Sequence, residues 1–251
     1  KYDRAYRFGE EAALVKLGEK FGFIDKNGKE ITPPKYDYFD ESLKNDDESD
    51  LPESQTKLFS VRADRKAGYI DQTGKEVIPL KYESAGIFSE GLAAVELMDE
   101  NYRSRSGYID ETGKEVIPFL YTRAYSFAEG LAVVSSNEKW GFIDKTGKEV
   151  IALKYDGATS FLNGFAAVKL ADKWGVIDKS GREIISLKYD EIYDFDKDII
   201  RVKLNNKWGT IDRSGKEISQ IKYDEVEFFV DDIAVVKLNE KYGYINKAGK
   251  E

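Results

Sequence analysis

The sequence predicts an all-β fold built from seven tandem copies of one unit of about 34 residues. Three observations carry the prediction. A glycine recurs at Gly22, Gly68, Gly107, Gly141, Gly175, Gly209 and Gly243, each two residues ahead of an isoleucine. The spacings between these glycines are 46, 39 and then 34 four times, so the period is 34 with extra residues in the first two intervals. Between the glycines, short runs of β-branched, alanine and aromatic side chains alternate with Gly, Asn and Asp at intervals too short for helices.

The first strand of the unit is small and apolar, as in Phe165 to Leu170 and Ile233 to Leu238, which suits a crowded interior. Two residues then intervene before a Lys: Gly18-Glu19, Asp64-Arg65, Ala171-Asp172, Asn205-Asn206 or Asn239-Glu240. That is the length, and several of the residue types, of a tight hairpin turn, so the first and second strands are antiparallel neighbours. The second strand reads Trp140-Gly141-Phe142-Ile143-Asp144 and its equivalents, with a glycine where another backbone or ring approaches closely. A three-residue connection ending in Gly, such as Lys145-Thr146-Gly147, leads to a third strand typified by Lys148 to Ile151. Three early copies then pass a proline (Pro34, Pro79, Pro118) and reach Lys-Tyr-Asp or a relative of it, with an aromatic six residues beyond the Tyr, as in Tyr155 to Phe161. The even separation places both rings on one face of a fourth, outer strand. A short Glu-Gly or Asn-Gly link returns to the next unit.

One unit of this size buries too little apolar surface to offset the cost of ordering its chain, so the copies must stack. A meander of four short strands is the shape of a propeller blade. Lys1 to Phe8 reads as an outer strand with nothing before it, and Ile233 to Glu251 as the three strands that lack one. The expectation is therefore a seven-bladed β-propeller, a single repeat domain over 1–251, closed by pairing of the N- and C-terminal segments. The alternative is an open β-solenoid or superhelix of hairpins, because 34 residues is short for a four-stranded blade. The chain opens on Lys1 without a methionine, as a processed fragment would.

Composition narrows the chemistry. The chain has no Cys and no His, which removes Ser-His-Asp and Cys-His nucleophilic sites, thiolate or imidazole zinc sites and histidine acid-base catalysis together. With 39 Lys and Arg against 47 Asp and Glu, and basic residues spaced once per unit, neither nucleic acid nor an anionic membrane surface is expected as a partner, and with no stretch approaching the roughly 18 to 20 apolar residues of a membrane span, direct membrane insertion is not expected either. Nothing in the composition assigns a compartment.

Lys139-Trp140-Gly141, Lys173-Trp174-Gly175 and Lys207-Trp208-Gly209, each followed by Ile-Asp and then Gly-Lys/Arg-Glu, give the chain a resemblance to the bacterial WG-repeat (KWG) family. The resemblance covers almost the whole chain. It implies a repeat scaffold used for interactions, with no catalytic residues and no cofactor.

The recurrent aspartate after the second strand (Asp25, Asp71, Asp110, Asp144, Asp178, Asp212) superficially looks like a calcium loop. A cation stands among the would-be ligands in most copies, as Lys26, Lys145, Lys179, Arg213 and Lys247, so an Asx-type hydrogen bond shaping the turn is the expected role and no metal is assigned. Once-per-unit aromatics are expected in the core before they are expected under a sugar. Function is sought where units differ. The first insertion, within 40–57, is acidic and includes Asp46, Asp47, Glu48 and Asp50. The second, near 98–105, adds Tyr102, Arg103 and Arg105, residue types enriched at protein interfaces. These seven residues are the candidate partner contacts. The reading is a non-catalytic interaction scaffold that binds a protein partner through one face or its irregular loops. Its alternatives are a carbohydrate-binding or carboxylate-based carbohydrate-active domain, and a structural spacer in a larger envelope or secreted protein.

Overall fold

The structure, a computed structural model, describes residues 1–8, 12–39, 58–195 and 197–251, and the described residues form strands and turns without a helix. Among the described residues there are seven antiparallel sheets. The first holds β1 (Arg4–Phe8), β2 (Ala12–Leu17), β3 (Lys20–Asp25) and β4 (Glu30–Tyr36), and the second β5 (Tyr38–Phe39), β6 (Leu58–Ala63), β7 (Lys66–Asp71) and β8 (Glu76–Tyr82). The third holds β9 (Ser84–Ala85), β10 (Ala93–Met98), β11 (Ser104–Ile109) and β12 (Glu115–Tyr121), and the fourth β13 (Arg123–Ala124), β14 (Ala132–Ser136), β15 (Lys139–Ile143) and β16 (Glu149–Tyr155). The fifth comprises β17 (Gly157–Ala158), β18 (Phe165–Leu170), β19 (Lys173–Asp178) and β20 (Glu183–Tyr189). The sixth comprises β21 (Glu191–Tyr193), β22 (Ile199–Leu204), β23 (Lys207–Asp212) and β24 (Glu217–Tyr223), and the seventh only β25 (Glu225–Val226), β26 (Ile233–Leu238) and β27 (Lys241–Asn246). The chain divides into two compact units, Lys1–Ser136 with Lys145–Lys148, and Asn137–Asp144 with Glu149–Glu251.

Strand order corrects two expectations. In every four-stranded sheet the outer strand pairs with the first strand that follows it in the chain. Thus β1 pairs with β2, Arg4 opposite Lys16, and completes a sheet with β3 and β4, whereas β25, β26 and β27 make a sheet of their own. The two terminal segments therefore do not combine into one blade. The Lys-Tyr pair also belongs elsewhere. It ends the third strand, as Tyr155 ends β16, and from the second sheet onward the outer strand is reduced to two or three residues before the chain turns toward the next aromatic. Both rings are nevertheless buried, because Phe161 reaches back to Phe142 of β15 at 4.8 Å between centroids. Tyr69 with Phe88 and Tyr108 with Phe127 repeat the contact at 4.8 and 4.9 Å.

The recurrent glycine has a steric cause. Between β19 and β20, Trp174 lies opposite Tyr189 and Val176 opposite Ile185, so two steps on one strand face four on the other. The surplus residues of β20 arch over Gly175 as a bulge. A Cβ on Gly175 would sit 2.6 Å from the Ile185 carbonyl oxygen and 2.9 Å from the Leu187 nitrogen. Pro34, Pro79 and Pro118 are tolerated within their third strands because the same arch interrupts the ladder there.

The Lys before each Trp-Gly also has a fixed partner. Lys139 donates to Asp156, Lys173 to Asp190 and Lys207 to Asp224, each at 2.5 Å; Lys20 pairs with Asp37 and Lys66 with Glu83. The second carboxylate oxygen accepts a backbone N–H from the following hairpin turn, from Ala171, Asn205 and Asn239 at 2.7 Å. One aspartate thus ties the second strand of one sheet to the first turn of the next. The turn that it holds is a two-residue turn with both central φ angles positive, as at Asn205 (52°) and Asn206 (61°), the geometry that matches strand twist.

Candidate interaction surface on the sixth sheet

Three side chains in a row cross the middle of each four-stranded sheet, one from each of its last three strands. In the fifth sheet they are Ala167, Val176 and Ile185; in the third, Ala94, Tyr108 and Ile117; in the second, Ser60, Tyr69 and Ile78. In the sixth sheet the row is Arg201, Thr210 and Ser219. Thr210 and Ser219 are buried and satisfy one another: the hydroxyls lie 3.0 Å apart, the Thr210 N–H donates to Ser219 Oγ at 3.0 Å, and the Ser219 N–H donates to Thr210 Oγ1 at 3.2 Å.

Arg201 occupies a position that is otherwise uncharged, and the local chain is rebuilt to receive it. Its Nε donates to Asp194 Oδ2 at 2.5 Å, with only 16% and 19% of the two side chains exposed, and its Nη1 donates to the Val226 carbonyl at 3.0 Å. Asp194 takes a left-handed backbone (φ 59°) at the end of an outer strand lengthened to three residues. The guanidinium also lies over Tyr193 at 5.6 Å and Phe228 at 5.8 Å. Tyr193 in turn stands 5.7 Å from Trp208, which carries the Lys203 ammonium 5.4 Å from its ring. Lys203 holds Glu191 at 2.7 Å, and that hydrogen bond raises its pKa. Tyr193 and Phe228 remain 49% and 62% exposed. Two shallow clefts adjoin the cluster, one lined by Arg201, Trp208, Glu225 and Phe228, the other by Asp194, Lys197, Phe229 and Lys247. The result is a patch of aromatic rings around a hydrogen-bonded arginine, ringed by Lys, Asp and Glu.

Asp46, Asp47, Glu48 and Asp50 lie outside the described residues. The other insertion is a five-residue turn in which Asp99 Oδ1 accepts the N–H groups of Asn101 (2.8 Å) and Arg103 (2.9 Å). This is the arrangement of the turn after the second strand, where Asp178 Oδ1 accepts the N–H groups of Ser180 and Arg182 and the Ser180 hydroxyl at 2.6 Å. The expected Asx role of the recurrent aspartate is what the structure has. At the place of the turn glycine the insertion carries Tyr102, left-handed (φ 58°) and 88% exposed. Arg105 proves to stand at the Lys position of Lys-Trp-Gly; with Thr122 where other copies have an acid, it turns to Asp99 at 3.5 Å. Tyr102 and Arg103 are therefore at a loop tip, whereas Arg105 faces the loop's own base. The sixth-sheet cluster was missed, although Arg201 is visible in the sequence as the one charge among Leu14, Ser60, Ala94, Val133, Ala167 and Val235.

A family model described as a WG containing repeat matches residues 21–45, 68–102, 107–140, 140–174, 174–208 and 208–242. The chain belongs to the WG-repeat family. Among solved structures, this WG-repeat chain is similar to the crystal structure of the eukaryotic initiation factor, with a TM-score of 0.52, 8% identity, and coverage of 99% of this chain and 86% of that one. Kluyveromyces lactis Hsv2 also matches, with a TM-score of 0.44, 10% identity, and coverage of 92% and 87%. At such identities the likeness is one of fold, and the initiation-factor match places the WG-repeat sheets beside propeller-like ones. A search among curated proteins found no relative.

Proposed function

We propose that the protein is a non-catalytic interaction scaffold that binds a protein partner, and that the sixth-sheet surface is its principal contact. The observation that carries this reading is the replacement of an apolar core row by Arg201, Thr210 and Ser219 beneath exposed Tyr193 and Phe228. A repeat that otherwise conforms gives up apolar burial here and gains a pre-organised arginine flanked by aromatic rings, the side chains most enriched at interface centres. A glycan platform is less well supported, since the rings of Trp208 and Tyr193 already engage each other and Lys203. Tyr102 and Arg103 at the third-sheet loop tip are a second contact of the same chemical kind.

The test compares proteins retained from lysate by the immobilised chain and by a variant carrying Tyr193→Thr and Phe228→Ser, which copies Thr159 and Ser160 of the fifth sheet. A protein retained by the first and lost by the second is expected. Identical retention by both sinks the sixth-sheet assignment.

A further inference from the structure

The third sheet reverses a charge that the other sheets keep. Residues directly opposite one another on antiparallel strands share a face. One such row in the fifth sheet runs Gly157, Lys169, Trp174 and Tyr189, and in the sixth Glu191, Lys203, Trp208 and Tyr223. In the first sheet it runs Arg4, Lys16, Phe21 and Tyr36. A lysine thus stands beside an aromatic ring, 5.3 Å from Phe21 in the first sheet and 5.4 Å from Trp208 in the sixth. Each lysine also holds a carboxylate: Lys16 holds Glu19, Lys169 holds Asp172 and Lys203 holds Glu191. In the third sheet the row is Ser84, Glu96, Ser106 and Tyr121. The cation has become an anion and the ring a hydroxyl. Lys16, Arg62, Ser135, Lys169, Lys203 and Lys237 stand at the place of Glu96 in the other six sheets, so no other sheet has an acid there.

Neither new group has what it needs within the chain. Glu96 is half-buried and, among the described residues, pairs with no cation; the Ser104 hydroxyl donates to its Oε2 at 3.1 Å. Arg105, beside Ser106 in the chain, is taken by Asp99 at 3.5 Å. Ser106 is 1% exposed, and its hydroxyl has no hydrogen-bond partner among the described residues. A half-buried carboxylate without a cation and a buried hydroxyl without a partner both cost stability, and here they stand side by side. We propose that Glu96, Ser84 and Ser106 form a binding site for an arginine side chain of another polypeptide. A guanidinium supplies what the row lacks. Its charge and N–H fork suit the two oxygens of Glu96, its remaining N–H groups suit the hydroxyl oxygens of Ser84 and Ser106, and its plane takes the place of the ring that other sheets set opposite their tyrosine. A lysine supplies the charge without the plane. Ser106 is covered in the free protein; Glu96, its neighbour across the strand pair, turns outward as the guanidinium enters.

The probe is Nα-acetyl-arginine methylamide, titrated into the isotope-labelled whole chain and followed by backbone amide chemical shifts. Saturable shifts at Ser84, Glu96 and Ser106 are expected, with a Kd of about 1 mM for a ligand of this size. Glu96→Gln keeps the side chain's shape and its acceptor for Ser104, and should weaken binding at least about tenfold with an unchanged melting temperature. The citrulline analogue, uncharged and of the same shape, should not saturate, and the lysine analogue should bind at least about threefold more weakly than the arginine one. Absence of saturable shifts at these three residues up to about 50 mM, or equal binding by Glu96→Gln or by the citrulline analogue, overturns the site. Equal binding of the lysine analogue overturns the choice of arginine. The site shares no residue with the sixth-sheet surface, so failure of either test leaves the other standing.

Discussion

At the scale of the residue, the glycine of Trp-Gly is explained by the arch of the third strand. Gly175→Ala should cost about 3 kcal/mol, the upper range for over-packing, because the obstructing atoms are backbone and cannot rotate away. Urea unfolding followed by tryptophan fluorescence measures this, and a loss under about 1 kcal/mol would remove the arch as the cause. The close approach was legible from the sequence, since a glycine that recurs seven times inside a strand points to a place where no side chain fits. The Lys139–Asp156 tie was not, because its partners are 17 residues apart and only the bulged register brings them together. Arg201 was legible in principle as a charge in an apolar column, but the column could be aligned only once strand pairing was known. The opposite case is Tyr102, which sequence reasoning singled out and which stands exposed in a left-handed conformation. Tyr102→Gly should raise stability by about 1 kcal/mol by relieving that backbone, measurable as an increase in the urea midpoint; a decrease would mean that the ring contributes more than its backbone costs.

At the scale of the element, the hairpins were legible because turn chemistry is local: Asn205-Asn206 and the Asp178 turn appear as expected. The outer strand was misjudged for a physical reason. Tyr155 and Phe161 are both buried, and an even spacing suggests one extended face, but a bend and a two-residue strand between them achieve the same burial through contact with Phe142. The turns and ties also set a pH dependence. Hydroxyl hydrogen bonds from Thr112, Ser180 and Ser214 are the largest influence lowering the carboxyl pKa values of Asp110, Asp178 and Asp212. The ammonium groups of Lys139, Lys173 and Lys207 do the same for Asp156, Asp190 and Asp224. A carboxyl whose folded pKa lies below its unfolded value adds stability above the unfolded value and loses it as pH falls through the folded one. The melting temperature should therefore hold from neutral pH to about 4 and fall below it, with added salt weakening the lysine-dependent part. A melting temperature that rises below pH 4 would contradict these assignments.

At the scale of the whole molecule, repetition explains most of the sequence, and the proposed binding function rests on the exceptions. The repeat is legible from spacing alone, and the family match covers six of the seven glycines, Gly22 to Gly209. Strand order within a sheet was not readable, because an outer strand between a third and a first strand can pair with either. That ambiguity produced the expected closure through the chain ends, which the pairing of β1 with β2 replaces. The central claim is that the sixth sheet gives up folding stability for binding. Its most direct test is the thermal unfolding of a variant with Asp194→Ser, Arg201→Ala, Thr210→Val and Ser219→Ile, which installs the fifth-sheet residues Ser160, Ala167, Val176 and Ile185. If the polar row is retained for binding, the variant should be more stable than the natural chain by about 1 to 3 kcal/mol, from added apolar burial and removal of a costly ion pair. A variant less stable than the natural chain would mean that Arg201, Thr210 and Ser219 serve the fold, and would contradict the account.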